Sequence, residues 1–408
     1  MATPKLSNKV IMQAVHAVEK CGGNVTAASL KLGVSRTTLQ NRLAIAKLHG
    51  TIVKAVVPTV QTHEEVSDKK KIKALEKELS SVRDVRLNEE IIRREIINLS
   101  SSIISAPIPE WMVKENKAGS PGVPSLFLSD LHWGEHVNES QINFVNSYSI
   151  DIAKERLRRM AQTSVQLLKI ISPKMDYPGL VLILGGDMIS GNIHDELTAT
   201  NELNTMPTVL DLYGELLQFV KIMADQFGRV FIPCVTGNHG RDTQKIWNKD
   251  RHATSFDWLL YCFLAKYFES DKRITFFIPD GPDAYYKIYN HRYLLTHGDQ
   301  FRGGDGVIGA LGPIIRGDHR KRSRNTQIDM EYDTLLIGHW HQYIQLGRLI
   351  VNGSLKGYDE YAYSNNFPFE TPQQALWLTH PKHGITYRMP VKLEAAKTPK
   401  ESPWCAVQ

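Results

Sequence analysis

Apolar positions at the start of the chain recur at helical spacing. In SNKVIMQAVHAVEKCGG, Val10, Ile11, Ala14, Val15 and Val18 fall on one face. Gly22-Gly23 then ends the helix. Asn24 or Thr26 is placed to cap a short helix over 27–32. Gly33 supplies a tight turn, and Ser35 caps a third helix that carries Leu39, Leu43 and Ala46 inward. Short helix, glycine turn and capped helix are the plan of a helix-turn-helix. The outward residues of the last helix are Arg36, Thr37, Thr38, Gln40, Asn41 and Arg42. They suit base edges and phosphates in a major groove. A three-helix bundle with a polar solvent face is the plain alternative.

The pattern changes after residue 50. GTIVKAVVPTVQTH reads as a linker within a segment 51–107. In the charged stretch that follows, Ile72, Leu75, Leu79 and Val82 step as a heptad seam does. Glu89 breaks the series, and Ile92, Ile96, Leu99 and Ile103 resume it. Two short heptad runs fit a homodimer through residues 65–104, or one helix packed on the next domain.

From 108 to 392 the apolar runs are short and strand-like: SLFLSD, LVLILGGD, RVFIPCVTGNH, YLLTHGD, TLLIGHWH and RLIVNGS. Helical stretches lie near 151–172 and 205–227, and ITFFIP, YYKIYN and GITYRM add further strands. The expected fold class is α/β, with sheets inside and helices outside, preceded by the small all-α domain of residues 1–50. The tail, 393–408, reads as mostly unstructured.

Composition narrows the setting. The chain has 408 residues, 42% of them hydrophobic and 23% charged, as in ordinary globular proteins. No apolar run reaches the length of about 18–20 residues needed to span a bilayer, and MATPKLSNKV lacks an apolar signal core. Cys21, Cys234, Cys262 and Cys405 show no CxxC spacing, so neither a disulfide framework nor a cysteine zinc site is indicated. A cytoplasmic location is expected, without a membrane partner. Residues 1–50 hold seven Lys/Arg against one acid, Glu19, a surplus equal to the whole net charge of +6. A basic head on a neutral body points to DNA as a partner.

Nearly every strand-like run ends in metal-capable residues: Asp130 and His132 in SDLH, Asp187 in GGD, Asn238 and His239 in GNH, His297 in THGD, and His339 and His341 in GHWH. Strand C-termini of α/β sheets gather on one edge, where sites form. If strand geometry persists through GHWH, both histidines point the same way. Singly these motifs are weak. Five in this order, each behind an apolar run, point to a metal site.

The set resembles the calcineurin-like metallophosphoesterases, whose pattern is D-x-H, G-D, G-N-H-[ED], H and G-H-x-H. The resemblance covers about 108–360. It implies a β-sandwich flanked by helices (α-β-β-α). It also implies two divalent transition-metal ions, with manganese first and iron, zinc or cobalt as alternatives. Asp130, His132 and His341 would hold one ion and Asn238, His297 and His339 the other, with Asp187 bridging. A hydroxide between the ions would attack phosphorus. His239 would be the catalytic, non-ligand histidine facing the leaving oxygen. Two positions depart from the pattern. Gly240 replaces the acid after GNH, leaving the carboxylate behind His239 missing or supplied by Asp242. Ser190 replaces a second acid in GDMIS, with little effect expected.

The stretch through residues 27–39 resembles the Fis-type helix-turn-helix, with its A-A-x-x-L-G-[IV]-S-R-x-T-L run. Joining it to a metallophosphoesterase looks like an arrangement of phage or mobile-element proteins, which would place the chain in a bacterial host cytoplasm.

Other residues bear on substrate. FRGGDGVIGALGPIIRGDHRKRSRN reads as a basic loop between two ligand-bearing strands, carrying Arg302, Arg316, Arg320, Lys321, Arg322 and Arg324. Arg316, Arg320 and Arg322, with Arg241 and His194, are candidate substrate contacts, though a solvated loop accounts for the arginines and helix capping for His194. Trp133 and Trp340 would stack on a base or wall a core. The expected function is a DNA phosphodiesterase, that is, a nuclease. A phosphatase localised by the basic head and a non-enzymatic DNA-binding regulator are the alternatives.

Overall fold

The computed structural model describes residues 7–48, 107–114, 120–302 and 309–394. The chain divides into two compact units, residues 1–90 and 91–408. The heptad runs lie outside the described residues.

In the first unit, α1 (Asn8–Lys20), α2 (Val25–Leu32) and α3 (Arg36–Leu48) form the expected trihelical bundle. Asn24 is the cap: its side chain accepts from the backbone N–H of Thr26 and Ala27, both at 3.1 Å. Gly33 sits at φ 64°, in the left-handed region that ends α2. Ser35 Oγ accepts from Thr38 N at 3.1 Å and opens α3. Ala14, Val18, Ala28 and Leu39 make one buried cluster, and Ile11, Val15 and Ala46 a second.

The second unit is built on two sheets. The first has the order β11-β10-β1-β2-β3-β4, from β1 (Val123–Leu128), β2 (Leu180–Leu184), β3 (Val230–Pro233), β4 (Ile274–Phe277), β10 (Gln373–His380) and β11 (Gly384–Lys392). β1 to β4 run parallel, and β10 and β11 add an antiparallel edge. The second has the order β5-β6-β7-β9-β8, from β5 (Asp283–Ile288), β6 (His291–Thr296), β7 (Thr334–Ile337), β8 (Ile344–Leu346) and β9 (Leu349–Val351).

Period-two alternation sets the layers. On β1 and β2, Val123, Phe127, Val181 and Ile183 face the second sheet, where they meet Tyr286, Tyr293, Leu336 and Ile350. Leu126, Leu128, Leu182 and Leu184 face the other way. They pack beneath α4 (Ile150–Ile171), α6 (Thr205–Phe227) and α7 (Phe256–Tyr267). Each such buried leucine stabilises the fold by about 1.5–3 kcal/mol. On the far face of the second sheet, Leu294, Leu335, Ile337 and Val351 pack against Ile314 of α8 (Leu311–Thr326). The order is helix, sheet, sheet, helix, as the resemblance implied. No described helix is long and apolar enough to cross a membrane.

Several expectations change. Residues 311–326, read as part of a basic loop, form helix α8. β8, β10 and α7 were not anticipated. Leu393 and Glu394, assigned to the tail, are packed: Leu393 is buried, and Glu394 pairs with Arg156.

Arg156 of α4 ties the helix layer to the loop after β9. Buried to 2% exposure, it donates to the carbonyls of Leu355 and Lys356 at 2.9 and 2.6 Å and to Asn146 Oδ1 at 2.7 Å. Removing it strands those acceptors. Arg156→Ala is expected to lower stability by about 3–5 kcal/mol, read as a fall in the denaturation midpoint. An unchanged midpoint would show that the loop is held by other contacts.

Candidate metal centre

The strand ends place the candidate ligands on one edge, and the backbone aims them by an unusual means. Asp130, His132, Asp187, His339 and His341 all have positive φ, between 48° and 67°. This conformation costs an L-residue about 1–2 kcal/mol, and Asp and Asn visit it most readily after glycine. Five of the seven predicted ligands therefore sit in strained turns, a pattern that accompanies functional sites. GHWH is not a continuation of its strand: β7 ends at Ile337, and His339 and His341 are aimed by left-handed turns rather than by strand alternation.

Glycines let these turns approach one another. A Cβ on Gly338 would lie 2.3 Å from Asp130 Oδ2, and one on Gly237 would lie 2.1 Å from Asp187 Oδ1. No larger residue fits either place without moving a carboxylate.

Three overlapping sets of side chains result: Asp130, His132 and His341; His132, Asp187 and His239; and Asp187, His297 and His339. Within each set the potential ligand atoms lie within 4.8 Å of one another. His132 Nε2 and His341 Nε2 are 2.9 Å apart, a separation at which two lone pairs share either a proton or a cation. His341 Nε2 is 3.5 Å from Asp130 Oδ1, and His297 Nε2 is 2.9 Å from Asp187 Oδ2. The seventh predicted ligand, Asn238, has a buried Oδ1 with no hydrogen-bond partner. An orphaned buried oxygen costs about 1–3 kcal/mol, and a cation would satisfy it. Together the donor set fits divalent metal.

Outer partners orient the donors. His297 Nδ1 lies 2.9 Å from the Gly185 carbonyl; a proton there leaves the Nε2 lone pair for the site. Ser129 Oγ donates to Asp130 Oδ2, and the His339 N–H donates to Asp130 Oδ1 at 2.8 Å. Burial opposes the charge of Asp187, yet His297 and His239 hold its carboxyl well below the usual range. Burial would also depress His297, but Asp187 overrides it and raises that imidazole to about 10. His339 is half-buried; desolvation of its ring and the facing His297 bring it down to about 4. Burial likewise pushes His132 well below the ordinary range.

His239 lies at the rim of this cluster, its ring centroid 4.5 Å from that of His132. Its Nδ1 faces the Ser190 carbonyl at 3.0 Å. The backbone of Ser190 thus occupies the place sequence reasoning left to a missing carboxylate or to Asp242. Ser190 Oγ in turn donates to Glu135 Oε2 at 3.1 Å. His194 precedes α5 (Asp195–Thr200) without capping it through its side chain, and its ring centroid is 6.1 Å from that of His239.

Asp257 went unforeseen. Fully buried on α7, it accepts from the backbone N–H groups of Asp187, Met188 and Gly237 at 3.0, 3.2 and 2.9 Å. Burial and the nearby Asp187 raise its carboxyl to about 6. No spacing marks it, because its partners are backbone atoms of other elements. Arg251, also unforeseen, pairs with Asp299 and donates to the Gly237 carbonyl.

The cationic candidates separate. Arg241 is turned onto backbone, donating to the carbonyls of Asn238, Thr243 and Gln244. Arg322 pairs with Asp318 and donates to the Tyr332 carbonyl. Arg316 and Arg320 are exposed on α8. With Arg302, Lys321 and Arg324 they line a cavity of about 200 Å³ beside Gln300 and Phe301. Trp133 is core, its indole donating to Asp211, whereas Trp340 is half-buried with an unpartnered indole N–H. In the first unit, Arg36, Thr37, Thr38, Gln40 and Asn41 are exposed and Arg42 is half-buried.

Residues 9–44 match the bacterial regulatory protein family of the Fis type, so this unit carries a Fis-type helix-turn-helix, which indicates DNA binding. No curated protein matches the chain. Among solved structures, a conserved uncharacterized protein from Streptococcus pneumoniae TIGR4, described as a predicted phosphoesterase, is 10% identical. The match covers 65% of this chain and 97% of that one, with a TM-score of 0.24. A single mutant of Vps29 from Entamoeba histolytica is 14% identical over 54% of this chain and 88% of that one, with a TM-score of 0.23. Likeness at that level decides nothing about the site.

The glycine cradle gives a direct test. Gly338→Ala is expected to weaken Mn²⁺ binding about 10–100-fold, measured by isothermal titration. Gly347→Ala, whose added Cβ meets nothing within 4 Å, should bind as wild type does. Equal affinities for the two variants would remove Asp130 from the cradle.

Proposed function

We propose that the second unit is a dinuclear metal-dependent phosphodiesterase acting on DNA, brought to its substrate by the helix-turn-helix unit. The observation that carries the proposal is the convergence of five imidazole and carboxylate ligands around Asp187, beside the unpartnered Asn238 oxygen. Asp130, His132 and His341 would hold one ion and Asn238, His297 and His339 the other, with Asp187 serving both. Mixed nitrogen and oxygen donors suit manganese, iron, zinc or cobalt better than magnesium or calcium. Ions held there supply Lewis-acid polarisation of a phosphoryl oxygen and acidify a water.

The chain's own residues do the rest. His239 keeps one nitrogen on the Ser190 carbonyl, which leaves Nε2 to face a leaving oxygen and move a proton to it. The backbone N–H of His239 donates to Asp187 Oδ1 at 2.7 Å, tying the chain at the catalytic histidine to the central carboxylate. His194, its ring centroid 6.1 Å from that of His239, would contact a substrate phosphate. Arg302, Arg316 and Arg320 around their cavity supply cationic contacts for a polyanion.

The test offers Mn²⁺-loaded protein plasmid DNA and, separately, p-nitrophenyl phosphate and its bis ester. DNA and the bis ester should be cleaved. His239→Ala should slow both by about 10²–10⁴-fold while retaining the metal content of wild type. Turnover of the monoester with DNA left intact would replace this reading by a phosphatase. Duplex binding with no hydrolysis of any ester would replace it by a regulator.

A further inference from the structure

The loop between His239 and α7 has a role that the metal centre does not account for. Residues 241–251 leave the GNH turn and return to it, and both ends are braced by guanidinium groups. At the start, Arg241 donates to the carbonyls of Asn238, Thr243 and Gln244. At the end, Arg251 grips Asp299 with two bonds of 2.9 and 3.1 Å and donates to the Gly237 carbonyl at 3.0 Å. Asp242 N donates to the Thr254 carbonyl at 2.9 Å and closes the base. The loop is therefore fixed to the same backbone that presents Asn238 and His239.

Its tip faces solvent. Trp247 is 52% exposed. Lys245 and Lys249, two residues to either side, are exposed and make no ion pair among the described residues. A lone exposed apolar side chain is ordinary on a protein surface. This one differs in being an indole between two uncommitted ammonium groups, on a loop anchored to candidate catalytic backbone. An aromatic face with flanking cations is how proteins hold a single nucleic-acid strand: the ring stacks on a base and the cations meet adjacent phosphates.

We propose that Trp247 stacks on an unpaired base of a nucleic-acid strand whose phosphodiester lies at the candidate metal centre, with Lys245 and Lys249 contacting neighbouring phosphates. The proposal rests on the nucleic-acid reading above and narrows it to substrates with unstacked bases near the scissile bond.

The test uses the full chain with a chelator present, so that binding is read without hydrolysis. A short oligothymidylate is titrated while tryptophan fluorescence is followed. Wild type should show saturable quenching, and Trp247→Phe should lose most of it while keeping part of the affinity. Trp247→Ala should weaken binding about five- to hundredfold, with an unchanged thermal midpoint. Replacing Lys245 and Lys249 together by Ala should make the slope of log K against log salt shallower by about 1.4. Equal affinity and quenching in wild type and the Trp247 variants would overturn the proposal, even if wild type cleaves DNA with Mn²⁺, and would leave the tip to a protein partner. Conversely, Trp247-dependent binding without any Mn²⁺-dependent cleavage would uphold the stacking surface and overturn the hydrolytic reading.

Discussion

A carboxylate with 1% exposure has to be compensated where it sits, and Asp187 is that carboxylate. An unpaired buried charge would destabilise the fold by several kcal/mol. Here His297 Nε2 lies 2.9 Å from one oxygen and the His239 N–H donates to the other. The surrounding architecture serves this placement. Parallel strands deliver their C-terminal ends to one edge, Gly237 leaves room for the carboxylate, and Asp257 holds the backbone of Asp187, Met188 and Gly237 from behind. The left-handed turns at five candidate ligands are then intelligible as strain retained to aim donors at a common point.

Much of this was legible in the sequence because the donors follow apolar strands. SDLH, GGD, GNH, THGD and GHWH each combine a strand signal with a polar residue that has no reason to follow it. All of the imidazole and carboxylate donors so named fall within the three clusters. The condition that would aim both histidines alike, strand geometry through GHWH, is not met. Strand periodicity shows where a strand runs, not where its last hydrogen bond falls, and β7 stops before the first histidine. The sequence of α8 reads as a loop because its approach is glycine-rich and its surface strongly basic. Its inner face is thin in apolar residues, chiefly Ile314. Asp257 and Arg251 were illegible for another reason: their partners are backbone atoms or residues far along the chain, and no local pattern records such contacts.

The two units differ in what they display. The helix-turn-helix places its polar residues on the exposed side of α3, with Leu39 and Ala46 buried. The sandwich unit gathers imidazoles and carboxylates from the strand ends of both sheets and displays cations on α8 and on the 241–251 loop. Many of those cations are consumed by structure: Arg241 by carbonyls, Arg322 by Asp318, and Lys321 by Asp283. A charge run in a sequence therefore overstates what a ligand can use, and the uncommitted side chains at the loop tip count for more than the longer run on α8.

The central claim is that Asp187 stands between two metal ions. Anomalous scattering from crystals grown with Mn²⁺ tests it most directly. The account predicts two peaks about 3.5–4 Å apart, one bordered by Asp130, His132 and His341 and the other by Asn238, His297 and His339. No peak at Asp187, or a single ion bound elsewhere, would contradict it.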